Sequence, residues 1–155
     1  MRPDIPEILA KASETLTAEV APALEGQYKG GHAAMIGLIG GMAAAAFENA
    51  VDIRLKEIAA MRSIFQEAES VVTEPPLASR LSRASVHVHP KDHKVSTLNE
   101  IHDGLTTLLI DLHAHIEMLT SSGAKAIDQQ IWRHLLSSAG ERMPPLPNFE
   151  PPLEE

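Results

Sequence analysis

The chain has 155 residues, of which 44% are hydrophobic, 22% charged and only 3% aromatic. A chain of that length can bury a core without staples, and an interior built from alanine and aliphatic residues points to packed helices rather than a β-sandwich. The net charge of -8 argues against a surface that grips nucleic acid or anionic lipid, and the lack of cysteine excludes disulfide scaffolds, thiol catalysis and Cys-ligated metals.

The opening residues Met1 to Glu7 contain no apolar run, so no signal peptide is expected and the chain reads as cytoplasmic. The first helix is predicted from about Ile5 to Leu24. Asp4 can accept from its free N–H groups, and Ile5, Ile8, Leu9, Ala12, Leu16 and Val20 recur at helical steps. Pro22 should bend its last turn, and Gly26 can end it in the left-handed conformation.

A second helical segment extends from near Gly31 to about Val72. Its first part, Ala33 to Phe47, is an apolar run of 15 residues that contains Gly37, Gly40 and Gly41. From Val51 the pattern becomes an ordinary amphipathic stripe of Val51, Leu55, Ile58, Phe65 and Val72. Without an internal proline this reads as one helix, kinked if anywhere at Gly40-Gly41. It would be long enough to imply either a break or a dimer.

Pro75-Pro76 should stop that helix, leaving residues 73 to 96 as a long connection with a short helical turn around Leu77 to Leu81. The third helix is predicted to start at Thr97, which forms a capping-box pattern with Glu100. Its stripe is Leu98, Ile101, Leu105, Leu108, Leu112, Ile116 and Leu119, and Ser121-Ser122-Gly123 should end it. The fourth runs from about Ala124 to Ala139, with Ile127, Ile131 and Leu135 inward and Gly140 as its stop. The short link makes the last two helices an antiparallel pair. Five of the eleven prolines fall between Met143 and Glu155, which cannot be helical. The expected architecture is therefore all-α: a four-helix up-and-down bundle over residues 1–142, with one long helix and a long connection before the third. An extended Pro-rich tail over 143–155 follows, and its Leu146 and Phe149 could dock on the bundle.

Histidine is over-represented, with 8 copies. His87 and His89 alternate onto one side of an extended segment, and His93 follows on a turn after Pro90; two or three imidazoles so placed suit a divalent transition metal. The plainer alternative is a solvated polar loop. On the third helix, His102, His113, His115 and Glu117 form a second candidate set. At roughly 100° per residue His113 and His115 cannot chelate one ion together, whereas His113 and Glu117 share a face. Border histidines on a bundle more often act as amphipathic spacers, and no Glu-x-x-His pair of the di-iron type is present.

The glycine-rich run lacks the features of a phosphate loop or a dinucleotide fingerprint. Gly37 and Gly41 make a G-x-x-x-G step, which lets helix backbones approach closely within the bundle or across a homodimer. Met35, Gly37, Gly40, Gly41 and Phe47 are the candidate interface, and a groove for an acyl chain is the second use of the same residues. A membrane span is disfavoured because 15 apolar residues fall short of about 20. Trp132 is assigned to core or interface packing. No nucleophile motif is present.

Arg2-Pro3 together with Glu19-Val20-Ala21-Pro22-Ala23-Leu24-Glu25-Gly26 resembles an uncharacterised bacterial helical domain. Its members are often encoded beside acyl-CoA dehydrogenases and phosphotransferase-like proteins. The likeness covers about the first sixth of the chain and no chemical motif. It implies a bacterial cytoplasmic helical protein of unknown function and assigns no catalytic residue. The leading expectation is a non-enzymatic interaction or ligand-binding module that acts as a homodimer. A metal-binding helical protein, with or without enzymatic activity, is the alternative, and an acyl-chain binder the third.

Overall fold

A computed structural model describes residues 4–86 and 90–143, and every regular element among them is helical. Five helices follow in order: α1 (Ile5–Thr15), α2 (Tyr28–Ala68), α3 (Pro75–Ser85), α4 (Val95–Glu117) and α5 (Ser122–Arg142). The Pro-rich tail beyond Met143 lies outside the described residues. The described residues divide into two compact units, one formed by Asp4–Asn49 with Met143, the other by Ala50–Arg142.

In the first unit, Asp4 caps α1 through its carboxylate, which accepts from the Glu7 N–H at 3.3 Å. The helix then widens by one residue over Leu16–Val20, where the Ala21 N–H donates to Leu16 O five residues back. Pro22 explains the widening: it has no N–H to return and its ring crowds the carbonyl one turn earlier. Helical geometry resumes over Ala21–Ala23, and Gly26, at φ 77°, reverses the chain. As expected, only a residue without Cβ takes that conformation freely.

The face of α1 that packs on α2 differs from expectation. Leu9, Ser13, Leu16, Val20 and Leu24 are half-buried, while Ile5, Ile8 and Ala12 are exposed. The facing surface of α2 is glycine and alanine, so it admits a small residue such as Ser13 at its closest point and turns the isoleucines outward. α2 runs unbroken through Gly40-Gly41.

In the second unit, the remainder of α2 with α3, α4 and α5 shares one aliphatic core. Met61, Phe65, Leu81, Leu98, Leu112, Ile116 and Ile131 are its fully buried large side chains. Burying each of these stabilises the fold by roughly 1.5–3 kcal/mol before entropy is counted. The connection expected over 73–96 holds an 11-residue helix, not a turn, with Leu77 and Leu81 in the core. α2 ends at Ala68, short of the expected Val72 and seven residues before Pro75. Pro75-Pro76 therefore begins the next helix rather than stopping this one; a first turn needs no intrahelical N–H donors.

The capping box is not used. α4 starts two residues earlier, at Val95, with Lys94 as its cap, and the Asp92 carboxylate accepts the Lys94 N–H at 3.1 Å. A hydrogen bond from Thr97, then that from Lys94, holds the Asp92 carboxyl below its ordinary value. Thr97 is thus engaged upstream and is itself buried. α4 ends at Glu117, and α5 already begins at Ser122, where Ser121 Oγ accepts the Ala124 N–H at 3.1 Å. Gly140 lies inside α5, and Leu135 faces outward, 41% exposed.

Candidate functional site

Two constellations merit description, one in each unit. In the first, α1 lies on the glycine face of α2. Ser13 Oγ donates to Gly37 O at 2.6 Å, which requires the two backbones to touch. A Cβ on Gly37 would sit 2.6 Å from Thr17 Cγ2 and 3.0 Å from Ser13 O, and one on Gly30 2.7 Å from Leu24 O. Gly41 meets the Ser13 hydroxyl and Gly40 sits looser. The G-x-x-x-G step is therefore filled by the chain's own first helix. Met35 and Phe47 point elsewhere: with Ile36, Ile39 and Met42 they form an exposed apolar stripe. Contrary to the expectation from its 15-residue apolar run, α2 is long and apolar enough to cross a membrane, and little of that stretch is buried.

In the second unit, Glu57 is a buried carboxylate, 4% exposed, at a position where the stripe of α2 faces the core. Arg142, in the last turn of α5, donates to it through Nε at 2.7 Å and Nη2 at 2.6 Å, the forked geometry that suits guanidinium and carboxylate. The Ser138 hydroxyl also donates to Glu57, Arg54 Nη1 approaches at 3.3 Å and His102 Nε2 at 3.1 Å. Arg54 in turn donates to Asn99 Oδ1 at 2.8 Å. Burial alone would raise the Glu57 carboxyl, but the hydrogen bonds from Arg142 and Ser138 and the nearby positive charge outweigh it and hold it at about 2. Beside the cluster is a cleft of about 90 Å³ lined by Lys56, Glu57, His134 and Ser138 among others. Burial depresses His134 below the ordinary imidazole value.

This cluster is closed on itself: each oxygen of Glu57 already has a strong donor. Its arrangement fastens α5 to α2 and α4, with both oxygens of Glu57 committed to donors. The signal in the sequence was a glutamate on the buried stripe, at a four-residue step from Met61, opposite a Ser138/Arg142 pair with the same spacing.

The histidines of the third predicted helix do not converge. His102 joins Glu57. His113 pairs with Asp128 at 3.0 Å and Glu117 at 3.7 Å, with its ring edge-on to Trp132 at a centroid distance of 5.6 Å. His115 approaches Glu74, the cap of α3, at 3.4 Å. Each sits half-buried at the border of the apolar stripe, as spacer geometry anticipates. Trp132 itself is half-exposed, on a shallow depression shared with Glu117, Lys125 and Asp128. Among the described residues no group of three His, Asp or Glu side chains is arranged to hold a metal ion. His93 is exposed, while His87 and His89 lie outside the described residues.

No family model, curated protein or solved structure matches this chain.

Proposed function

We propose that the chain is a non-enzymatic interaction module: a four-helix bundle over residues 50–142 that carries a helical hairpin with a sticky outer face. The observation that supports this reading is the hairpin's inverted burial. α1 buries no residue fully, and Met35, Ile36, Ile39 and Phe47 of α2 are all more than half exposed. Between Lys29 and Glu48 there is no charged residue to keep that face in water. Contiguous exposed apolar surface of this kind marks sites of association. The polar cluster around Glu57, in contrast, is saturated internally and serves the fold.

The test separates an interaction face from a misassigned core. At concentrations dilute enough to keep the chain monomeric, replacing Ile36 and Ile39 together by serine should leave the urea-unfolding free energy within about 1 kcal/mol, since surface substitutions rarely exceed that. The same variant should bind an environment-sensitive apolar dye markedly less. A loss of several kcal/mol would mean that these side chains are core, and the reading would fail.

A further inference from the structure

We infer that the exposed stripe of α2 is the seat of a second copy of this chain, packed antiparallel about Ile39. The inference rests on the interaction-module reading and names its partner.

At roughly 100° per residue, Met35, Ile39, Met42 and Ala46 fall on one narrow arc, flanked by Ile36, Ala43 and Phe47. Gly30, Ala33, Gly37 and Ala44 are the buried positions of this stretch, on the opposite side. Among the described residues, α1 therefore covers one side of α2 and nothing covers the other. At exposures of 57, 60, 57 and 54% for Met35, Ile36, Ile39 and Phe47, the stripe with its alanines offers an apolar patch. A stable pair needs about 1,200 Å² in total, or roughly 600 Å² from each copy, a contact that a stripe of about four helical turns with several large side chains can supply.

Three features favour a like partner. The face is neutral from Lys29 to Glu48, so two copies meet without burying a charge. Its large and small residues are distributed unevenly along the helix. An antiparallel pairing centred on Ile39 sets Met35 and the partner's Ala43 at one level close to the seam, and the two-fold axis repeats that large-against-small match on the other side of Ile39. A parallel pairing would set Phe47 against Phe47 and alanine against alanine, leaving clashes beside gaps. The antiparallel arrangement also gives a closed, isologous two-fold contact with opposed helix dipoles.

A bilayer fits the same surface less well. α1, packed on the glycine side, carries Glu7, Lys11, Glu14 and Glu19 outward. Inserting the hairpin would take these into hydrocarbon at about 2.5–3.5 kcal/mol each.

The experiment uses the full chain, in which any introduced cysteine is unique. Light scattering after gel filtration at about 50 μM should report twice the 16.8 kDa chain mass. Ile39→Glu should return a monomer with an unchanged helical circular-dichroism spectrum. Ile39→Cys should be captured as a dimer by a short thiol cross-linker. Tyr28→Cys should not, because antiparallel helices hold those positions roughly 33 Å apart at 1.5 Å per residue. A monomeric wild type overturns the second copy while leaving the interaction face, tested by dye and stability, intact. A dimer indifferent to Ile39→Glu places the contact elsewhere, and efficient capture through Tyr28→Cys overturns the antiparallel arrangement. Flotation of a monomeric chain with neutral phosphatidylcholine vesicles would assign the stripe to lipid instead.

Discussion

A carboxylate removed from water stays charged only where its neighbours replace the lost solvation, and Glu57 is held by such replacements. Arg142 supplies both charge and two directed donors, and Ser138 supplies a third. The folded-state value of about 2 lies below the ordinary 4.5, so the unfolded chain binds more protons in that interval. The resulting stabilisation is complete above the unfolded value, is lost as pH falls through the folded one, and is on the order of 2 kcal/mol once screening at the open side of the cluster is allowed for. Urea unfolding should therefore show the wild type weakening between pH 4.5 and 2. Glu57→Gln should be less stable at pH 7 and should flatten that acid limb. Arg142→Ala should cost about 2–4 kcal/mol at pH 7, because it strips a buried charge of its main partner. A silent Arg142→Ala would show that Glu57 is held by other means.

At the scale of elements, two glycines inside helices carry opposite expectations. Gly104, in the middle of α4, would meet nothing within 4 Å with a Cβ added, so Gly104→Ala should stabilise by about 0.5–1 kcal/mol through backbone entropy alone. Gly37 would meet Thr17 at 2.6 Å and the Ser13 backbone at 3.0 Å. Gly37→Ala should separate α1 from α2 and cancel any propensity gain, at a net cost of about 1–3 kcal/mol. Melting temperatures of the two variants should move in opposite directions, and a common direction would mean that the hairpin contact is not close. Helix period and glycine spacing made much of this legible in advance: the α4 stripe, the left-handed Gly26 and the close approach at Gly37 all follow from local chemistry. The identity of the helix at the glycine face did not, since a G-x-x-x-G step reports closeness and not the partner. The α3 helix was hidden because two prolines signal a helix stop and a helix first turn equally well. The α4 start was hidden because Asp92, three residues before the helix, competes with Glu100 for Thr97. The Glu57 cluster joins residues up to 85 positions apart, a pairing that no local spacing encodes.

For the whole molecule, the distribution of burial predicts two levels of stability. Residues 50–142 enclose Phe65, Leu81, Leu98 and Leu112 at 0% exposure, whereas α1 contains no buried residue at all. Two helices joined through a serine and a row of glycines bury little apolar area, and helical segments of that length are marginal in water without packing. Native-state amide exchange should accordingly find residues 5–47 opening well below the global unfolding free energy, while α4 and α5 exchange only near it. If a second copy covers the stripe on α2, protection over residues 35–47 rises with protein concentration by mass action, while protection in α4 stays constant. Exchange followed by mass spectrometry at about 1 and 100 μM tests both statements, since a hundredfold change in concentration is worth up to about 2.7 kcal/mol in a dimer's favour. Uniform protection across the chain would deny the division into a stable core and a weak arm. Unequal but concentration-independent protection would keep the division and remove the second copy from the stripe.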